Sequence, residues 1–243
     1  MHSTLIRLEP QTYPRLYSIG AVRTIKTPES TSQFLTATSK MPGPSFSLPA
    51  HRSCGYAWGD ICKNCYAEKG CYAWESTEQA QEFRFAFTRE AMKSLAGRQK
   101  WVTYMVAAIH KTKTEYFRVH DSGDMFSAAY AECWYEVACQ LPLVKFWIPT
   151  RVWQSQGNPL PASHPILSVL RRLAQLPNVT VRPSALNFGD KAPQVEGLHA
   201  GSTAAMPDVF RAFQCGAYTR DGHCGDCRAC WDDKFTPVSY PAH

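Results

Sequence analysis

Eight of the ten cysteines lie in two short stretches: Cys54, Cys62, Cys65 and Cys71 in one, Cys215, Cys224, Cys227 and Cys230 in the other. Soft metals take thiolates, and a Cys-x-x-Cys step lets two sulfurs reach one centre from a single tight turn. In the first stretch the gaps are seven, two and five residues. Three thiolates on a four-iron cubane leave one iron open to a small molecule, whereas four close a structural zinc or electron-transfer site. Spacing alone does not choose between them. The second stretch, with gaps of eight, two and two residues, has two overlapping Cys-x-x-Cys steps and suits a four-thiolate site. Zinc or a second iron–sulfur cluster fits it, and His223 could replace one thiolate. Cys133 and Cys139, six apart in an apolar helical stretch, read as small buried hydrophobes.

A different chemistry is offered by VHDSGDMF (119–126), which follows the strand-like EYFRV. A glycine-containing turn at the C-terminal end of a parallel strand lets the backbone approach a ligand. There His120, Ser122, Gly123 and Asp124 could bind an ammonium group or ribose hydroxyls, and Asp121 and Asp124 are the acids at hand for catalysis. The plainer reading is a turn that caps the next helix, with Asp124 or Ser127 as N-cap. FWIPTR (146–151) ends another strand and sets Thr150 and Arg151 at the same rim. The arginine could hold a carboxylate or phosphate by two prongs, or make a surface salt bridge.

The elements that must position these residues follow from the pattern. Residues 1–31 read as an arm, and SQFLTATS (32–39) as a short strand. In KMPGPSFSLPAHRSC (40–54) three prolines and a glycine forbid helix or central strand, which leaves an ordered loop over 40–72 carrying the first cysteines. Ser76 with Gln79 three residues on gives a capping-box start to a helix over 76–95. A second helix places Trp101, Met105 and Ile109 on one face. From there the chain alternates: strand 115–120, helix 127–141, strand 143–150, helix 164–176, strand 178–183. Such alternation implies right-handed crossovers and a parallel sheet, closed as a partial or complete parallel (β/α) barrel. The α/β unit then spans 32–212, and 213–243 is a cysteine-rich C-terminal metal-binding extension.

With 243 residues, 44% hydrophobic and 19% charged, the chain is long enough for one such domain, and disorder and fibrous classes are excluded. The net charge of +6 permits a nucleic-acid partner, but its lysines and arginines are scattered and indicate none. No apolar run is long enough to span a bilayer, and the first residues lack the features of a signal peptide. A cytoplasmic location follows as the expectation. Reduced thiols there point to metal binding or catalysis more than to disulfides.

In the same order, KMPGPSFSLP, C-x7-C-x-x-CYAEKG, YFRVHDSGDMFS, FWIPTR and CGDCRACW resemble the phage gene product 88 family over roughly residues 36–232. A phage origin implies the host cytoplasm. More distantly, a three-cysteine loop ending in CYA, then an α/β series with a glycine–acid turn at the end of its next strand, is similar to radical S-adenosylmethionine enzymes. That resemblance implies a four-iron four-sulfur cluster on Cys54, Cys62 and Cys65 whose open iron chelates S-adenosylmethionine. Ser122, Gly123 and Asp124 would then meet the cofactor's amino group, and Cys71 would be a non-ligand. It further implies a 5′-deoxyadenosyl radical that takes hydrogen from an unknown substrate, and an electron donor such as a flavodoxin or ferredoxin. The first gap is seven residues where three is commonest in that superfamily, and Asn64 stands where an aromatic is usual.

PTR and the strand-end acids also resemble, more faintly, zinc-containing transglycosylases that exchange a base in nucleic acid. Asp121 or Asp124 would then attack a glycosidic carbon. A metal-stapled binding protein without turnover is the third reading.

Overall fold

The computed structural model describes residues 34–204 and 212–241. The expected arm over 1–31 lies outside the described residues. In chain order the elements are β1 (Ser45–Phe46), the one-turn helix α1 (Asp60–Lys63), α2 (Glu75–Met92), α3 (Leu95–Thr112), β2 (Tyr116–Val119), α4 (Ala128–Gln140) and β3 (Lys145–Thr150). There follow β4 (Gln154–Ser155), β5 (Asn158–Pro159), α5 (Pro165–Gln175), β6 (Val179–Pro183), β7 (Ser202–Ala204), β8 (Phe213–Gln214), α6 (Ala229–Asp232) and β9 (Val238–Tyr240).

Strands β1, β2, β3 and β6 form one parallel sheet in that order, with helices in each crossover. This is the sequential winding of a (β/α) barrel. Among the described residues, however, the sheet stops at four strands, and no pairing joins β6 back to β1. Of the partial or complete barrel expected, the described residues show an open arc of four parallel strands. At the β6 edge a bridge from Ser184 to Ser202 leads into a smaller parallel sheet, ordered β7-β9-β8.

Local chemistry explains most boundaries. Ser127 caps α4 by accepting from the Tyr130 amide at 3.2 Å, and Ser94 caps α3 by accepting from Gly97 at 3.0 Å. The capping box expected at Ser76 does not form. Helix α2 begins one residue earlier, and Gln79 donates instead to the Glu75 carboxylate at 3.0 Å. The strand expected over 32–39 survives in the described part only as a two-way bridge between Thr36 and Ser45. Prolines on either side confine β1 to two residues at the sheet's edge, where a missing amide does least harm.

The pleat sorts the strands into two faces. Phe46, Phe117, Val119, Phe146, Ile148, Val179 and Val181 face the helices and are buried with Trp101, Tyr130 and Trp134. Trp101 meets Trp134 edge-on at 5.3 Å, and burying each such side chain contributes about 2 kcal/mol. Register places Ser45, Arg118, Trp147, Thr180 and Arg182 on the opposite face. The C-terminal segment covers that face. Trp231 packs against Trp147 at 5.1 Å and donates its indole N–H to the Phe117 carbonyl, while Thr180 donates to the Trp231 carbonyl. No helix among the described residues is long and apolar enough to cross a membrane.

Candidate cysteine site at the strand ends

The loop carrying Cys54, Cys62 and Cys65 is fastened across the C-terminal ends of all four sheet strands. After β1, the Leu48 amide donates to the Ser122 carbonyl at 2.9 Å and the Ser122 hydroxyl returns a bond to the Leu48 carbonyl at 2.8 Å. After β3, the buried Gln154 donates to the Tyr56 carbonyl at 2.7 Å. After β6, Ile61 donates to Leu186, Asp60 donates from its amide to the Asn187 side chain, and Asp60 accepts from the Phe188 amide at 2.9 Å. Gly59, at φ 84°, allows this docking, since a Cβ there would stand 2.3 Å from the Leu186 carbonyl oxygen.

Gly123 sits where the bend after β2 presses on the cysteine loop. It has φ 90°, and a Cβ would stand 2.6 Å from the Ser53 hydroxyl and 2.7 Å from Leu48 Cβ. The next residue, Asp124, is buried and accepts three hydrogen bonds: Thr150 Oγ1 and the Met125 amide on Oδ1, the Arg151 amide on Oδ2, all within 2.8 Å. Burial pushes its carboxyl pKa up against the pull of those donors. It caps no helix; Ser127 does.

Cys54 interacts electrostatically with both Asp124 and Cys65, and Cys65 in turn with Cys62 and Arg151. The structure thus brings Cys54, Cys62, Cys65, Asp124, Thr150 and Arg151 to one end of the sheet. Burial pushes the Cys54 thiol up to about 12, with Asp124 adding to the effect, and burial likewise raises Cys65. A metal arriving there must displace protons. Cys71 is exposed.

Three other expected site residues turn elsewhere. His120, with φ 70°, points to the helix side, its Nε2 2.7 Å from the Tyr130 hydroxyl and its ring beside Trp134. Burial, helped by the Arg118 charge, lowers its pKa to about 3. Ser122 uses both hydroxyl and carbonyl on Leu48, so it fastens the loop. Asp121 is buried and accepts from Ser45 at 2.7 Å and from Tyr72 at 3.0 Å, and its carbonyl accepts from the Tyr66 hydroxyl. It ties residues 66–72 to β2. The sequence marked CYA as a motif but gave no sign that Tyr66 and Tyr72 are the anchors of this knot. A cleft of about 390 Å³ beside them is lined by Pro49, Ala67, Glu68, Tyr72, Gln81 and Glu82, among others.

Arg118 closes the knot. It donates to the Tyr66 hydroxyl at 3.1 Å and to the His120 carbonyl at 3.0 Å, and lies 4.5 Å above the Trp147 ring. Beyond it are the C-terminal cysteines. Cys224 interacts with Cys215, Cys227 and Arg118, and Cys230 with Cys215, Arg118 and Arg182. The Cys230 sulfur lies 3.2 Å from the Tyr240 hydroxyl, and burial pushes its thiol up to about 12. His223 is exposed, with Nδ1 3.0 Å from the Arg220 carbonyl. Cys133 is buried in the core and Cys139 half-buried. Among the described residues, no three His, Cys, Asp or Glu side chains close on a point where one metal ion could be held.

No curated protein and no solved structure matches the chain. The model of the gene product 88 family matches residues 22–233, most of the 243 in the sequence, and the chain belongs to that family.

Proposed function

We propose that the protein is an iron–sulfur enzyme of the radical S-adenosylmethionine type, with Cys54, Cys62 and Cys65 as the cluster ligands. The observation that carries this reading is the fastening of their loop across the C-terminal ends of every strand of the parallel sheet, the end at which parallel α/β proteins bind ligands. Three thiols are the donor chemistry that a cubane takes: Cys54 interacts with Cys65 and Cys65 with Cys62, and the exposed Cys71 is left out.

When bound, the cluster and S-adenosylmethionine supply one-electron cleavage of the sulfonium and a 5′-deoxyadenosyl radical able to abstract hydrogen. The chain's own residues bind and orient. Arg151 donates its Nε to the Ala185 carbonyl at 3.0 Å, which aims the rest of its guanidinium along the rim near Cys65. That fork is the group to grip the carboxylate at the cofactor's methionine end. Asp124, immobilised by Thr150 and two amides, holds negative charge at the bend for the amino group. The reductant would be a flavodoxin or ferredoxin.

A nucleophilic role for Asp121 or Asp124 fits less well, because both carboxylates are buried and each oxygen already accepts a bond. Anaerobically purified protein should carry about four irons and four sulfides on these cysteines. With S-adenosylmethionine and dithionite it should form 5′-deoxyadenosine, and Cys62→Ala should lose that product. Zinc bound at these cysteines, or iron with no deoxyadenosine formed, overturns the proposal.

A further inference from the structure

Helix α2 turns one of its sides toward the chain that flanks the first cysteines. Glu78, Gln81 and Glu82 stand three and four residues apart, which sets them together on the helix surface. With Glu68, Tyr72 and the small side chains of Ala50, Ala67 and Ala73 they line the cleft of about 390 Å³ beside the Tyr66–Asp121 knot. That volume falls within the roughly 300–1,000 Å³ of small-molecule pockets and far exceeds what a bare ion needs.

Gln81 is the unusual member of the lining. It is only 3% exposed, yet its Nε2 has no hydrogen-bond partner among the described residues. A buried donor left unmade is costly, and packing alone would be served better by leucine. Around it the charges do not cancel. Arg52 pairs with Glu82 and lies 5.7 Å from the Phe85 ring, and the His51 Nε2 lies 3.1 Å from Glu68. Glu78, at an exposed position of α2, enters no ion pair among the described residues.

Three demands on an occupant follow. The free carboxylate of Glu78 calls for a cation, and the Gln81 amide for an acceptor oxygen. The alanines and Pro49 offer an apolar wall for a methylene stem. The oxygen must be neutral, since a second carboxylate would be repelled by the three glutamates. We infer that this cleft binds a small alkylammonium compound that also carries a carbonyl or hydroxyl oxygen, with Glu78 meeting the ammonium and Gln81 Nε2 donating to the oxygen. Tyr72, its hydroxyl fixed on Asp121 at 3.0 Å, holds one wall in place. Binding here needs neither iron nor S-adenosylmethionine, so it stands apart from the function proposed for Cys54, Cys62 and Cys65.

The full chain as purified is titrated calorimetrically with three probes. L-Lysinamide carries the ammonium, the stem and a neutral carbonyl; cadaverine keeps the stem and ammonium without the oxygen; norleucinamide keeps the oxygen without the side-chain ammonium. Lysinamide should bind about tenfold more tightly than either. Gln81→Leu should melt no lower than wild type and bring lysinamide down to the affinity of cadaverine, with cadaverine itself unchanged. Glu78→Gln should weaken both. Lysinamide that fails to bind at millimolar concentration, cadaverine bound as tightly, or lysinamide unmoved by Gln81→Leu overturns the inference. So does magnesium alone, if it binds more tightly than lysinamide and displaces it. Should Gln81→Leu fail to fold, Glu78→Gln and Ala73→Leu, both at exposed positions, carry the test: lysinamide affinity should fall in each, and affinity unmoved in both overturns the inference.

Discussion

The two cysteine-bearing regions are attached to the same sheet by different means. The first loop, through Cys54, Cys62 and Cys65, is held at the strand ends by main-chain bonds and short polar side chains, each of modest net worth. The C-terminal region is held on the sheet's face by a fully buried Arg182 in contact with four carbonyls and by Trp231 wedged against Trp147. A rim of many replaceable bonds suits a place where a small ligand comes and goes. A buried charged staple suits a part that stays put.

The largest effect should come from cutting that staple. Arg182→Met leaves four half-buried carbonyls without their donor, and we expect a loss of about 4 kcal/mol or more in denaturant unfolding, with the segment after residue 212 becoming protease-sensitive. An uncleaved, stable variant would erase the contrast. Gly123→Ala tests the rim: strain at φ 90° and contact with Ser53 and Leu48 should cost about 2 kcal/mol and, on the proposed function, lower the iron bound through Cys54, Cys62 and Cys65.

Acid should weaken the sheet between the two regions. His120 is held neutral, its pKa lowered from 6.5 to about 3, so the unfolded chain takes up the proton first as pH falls. Its contribution to stability is complete above pH 6.5 and is lost progressively toward pH 3, by up to about 1.4 kcal/mol per unit. Unfolding curves at pH 7 and pH 5 check this, and His120→Gln should flatten the difference. The smallest effect belongs to Cys71→Ser, an exposed position where iron content should be unchanged and stability should move by about 0.5 kcal/mol or less. Loss of iron would enlarge the first ligand set to four.

The helices and long strands were legible because their apolar spacing is local: Trp101, Met105 and Ile109 mark α3, and alternation in YFRV and KFWIPT marks β2 and β3. The rim position of Asp124, Thr150 and Arg151 followed from where those strands stop. What stayed hidden depends on distant partners. Asp60 meets Asn187 across 127 residues, and nothing near either residue announces it. Ser122 reads as ligand-facing in the sequence because a short hydroxyl in a turn gives no sign that Leu48 will claim it. His120, a polar residue in a strand-end motif, reads as rim, yet Tyr130 gives it a partner inside the core.

The small sheet is ordered β7-β9-β8, so its middle strand is the last one in sequence. Because synthesis runs from the N-terminus, β7 and β8 emerge with nothing between them, and Trp147 and Arg182 remain wet until the segment from Ala229 through Val238–Tyr240 has left the ribosome. A nascent chain stalled before that point carries its first three cysteines and all four main strands but an uncovered aromatic face. Such an intermediate is the one that chaperones and proteases would meet.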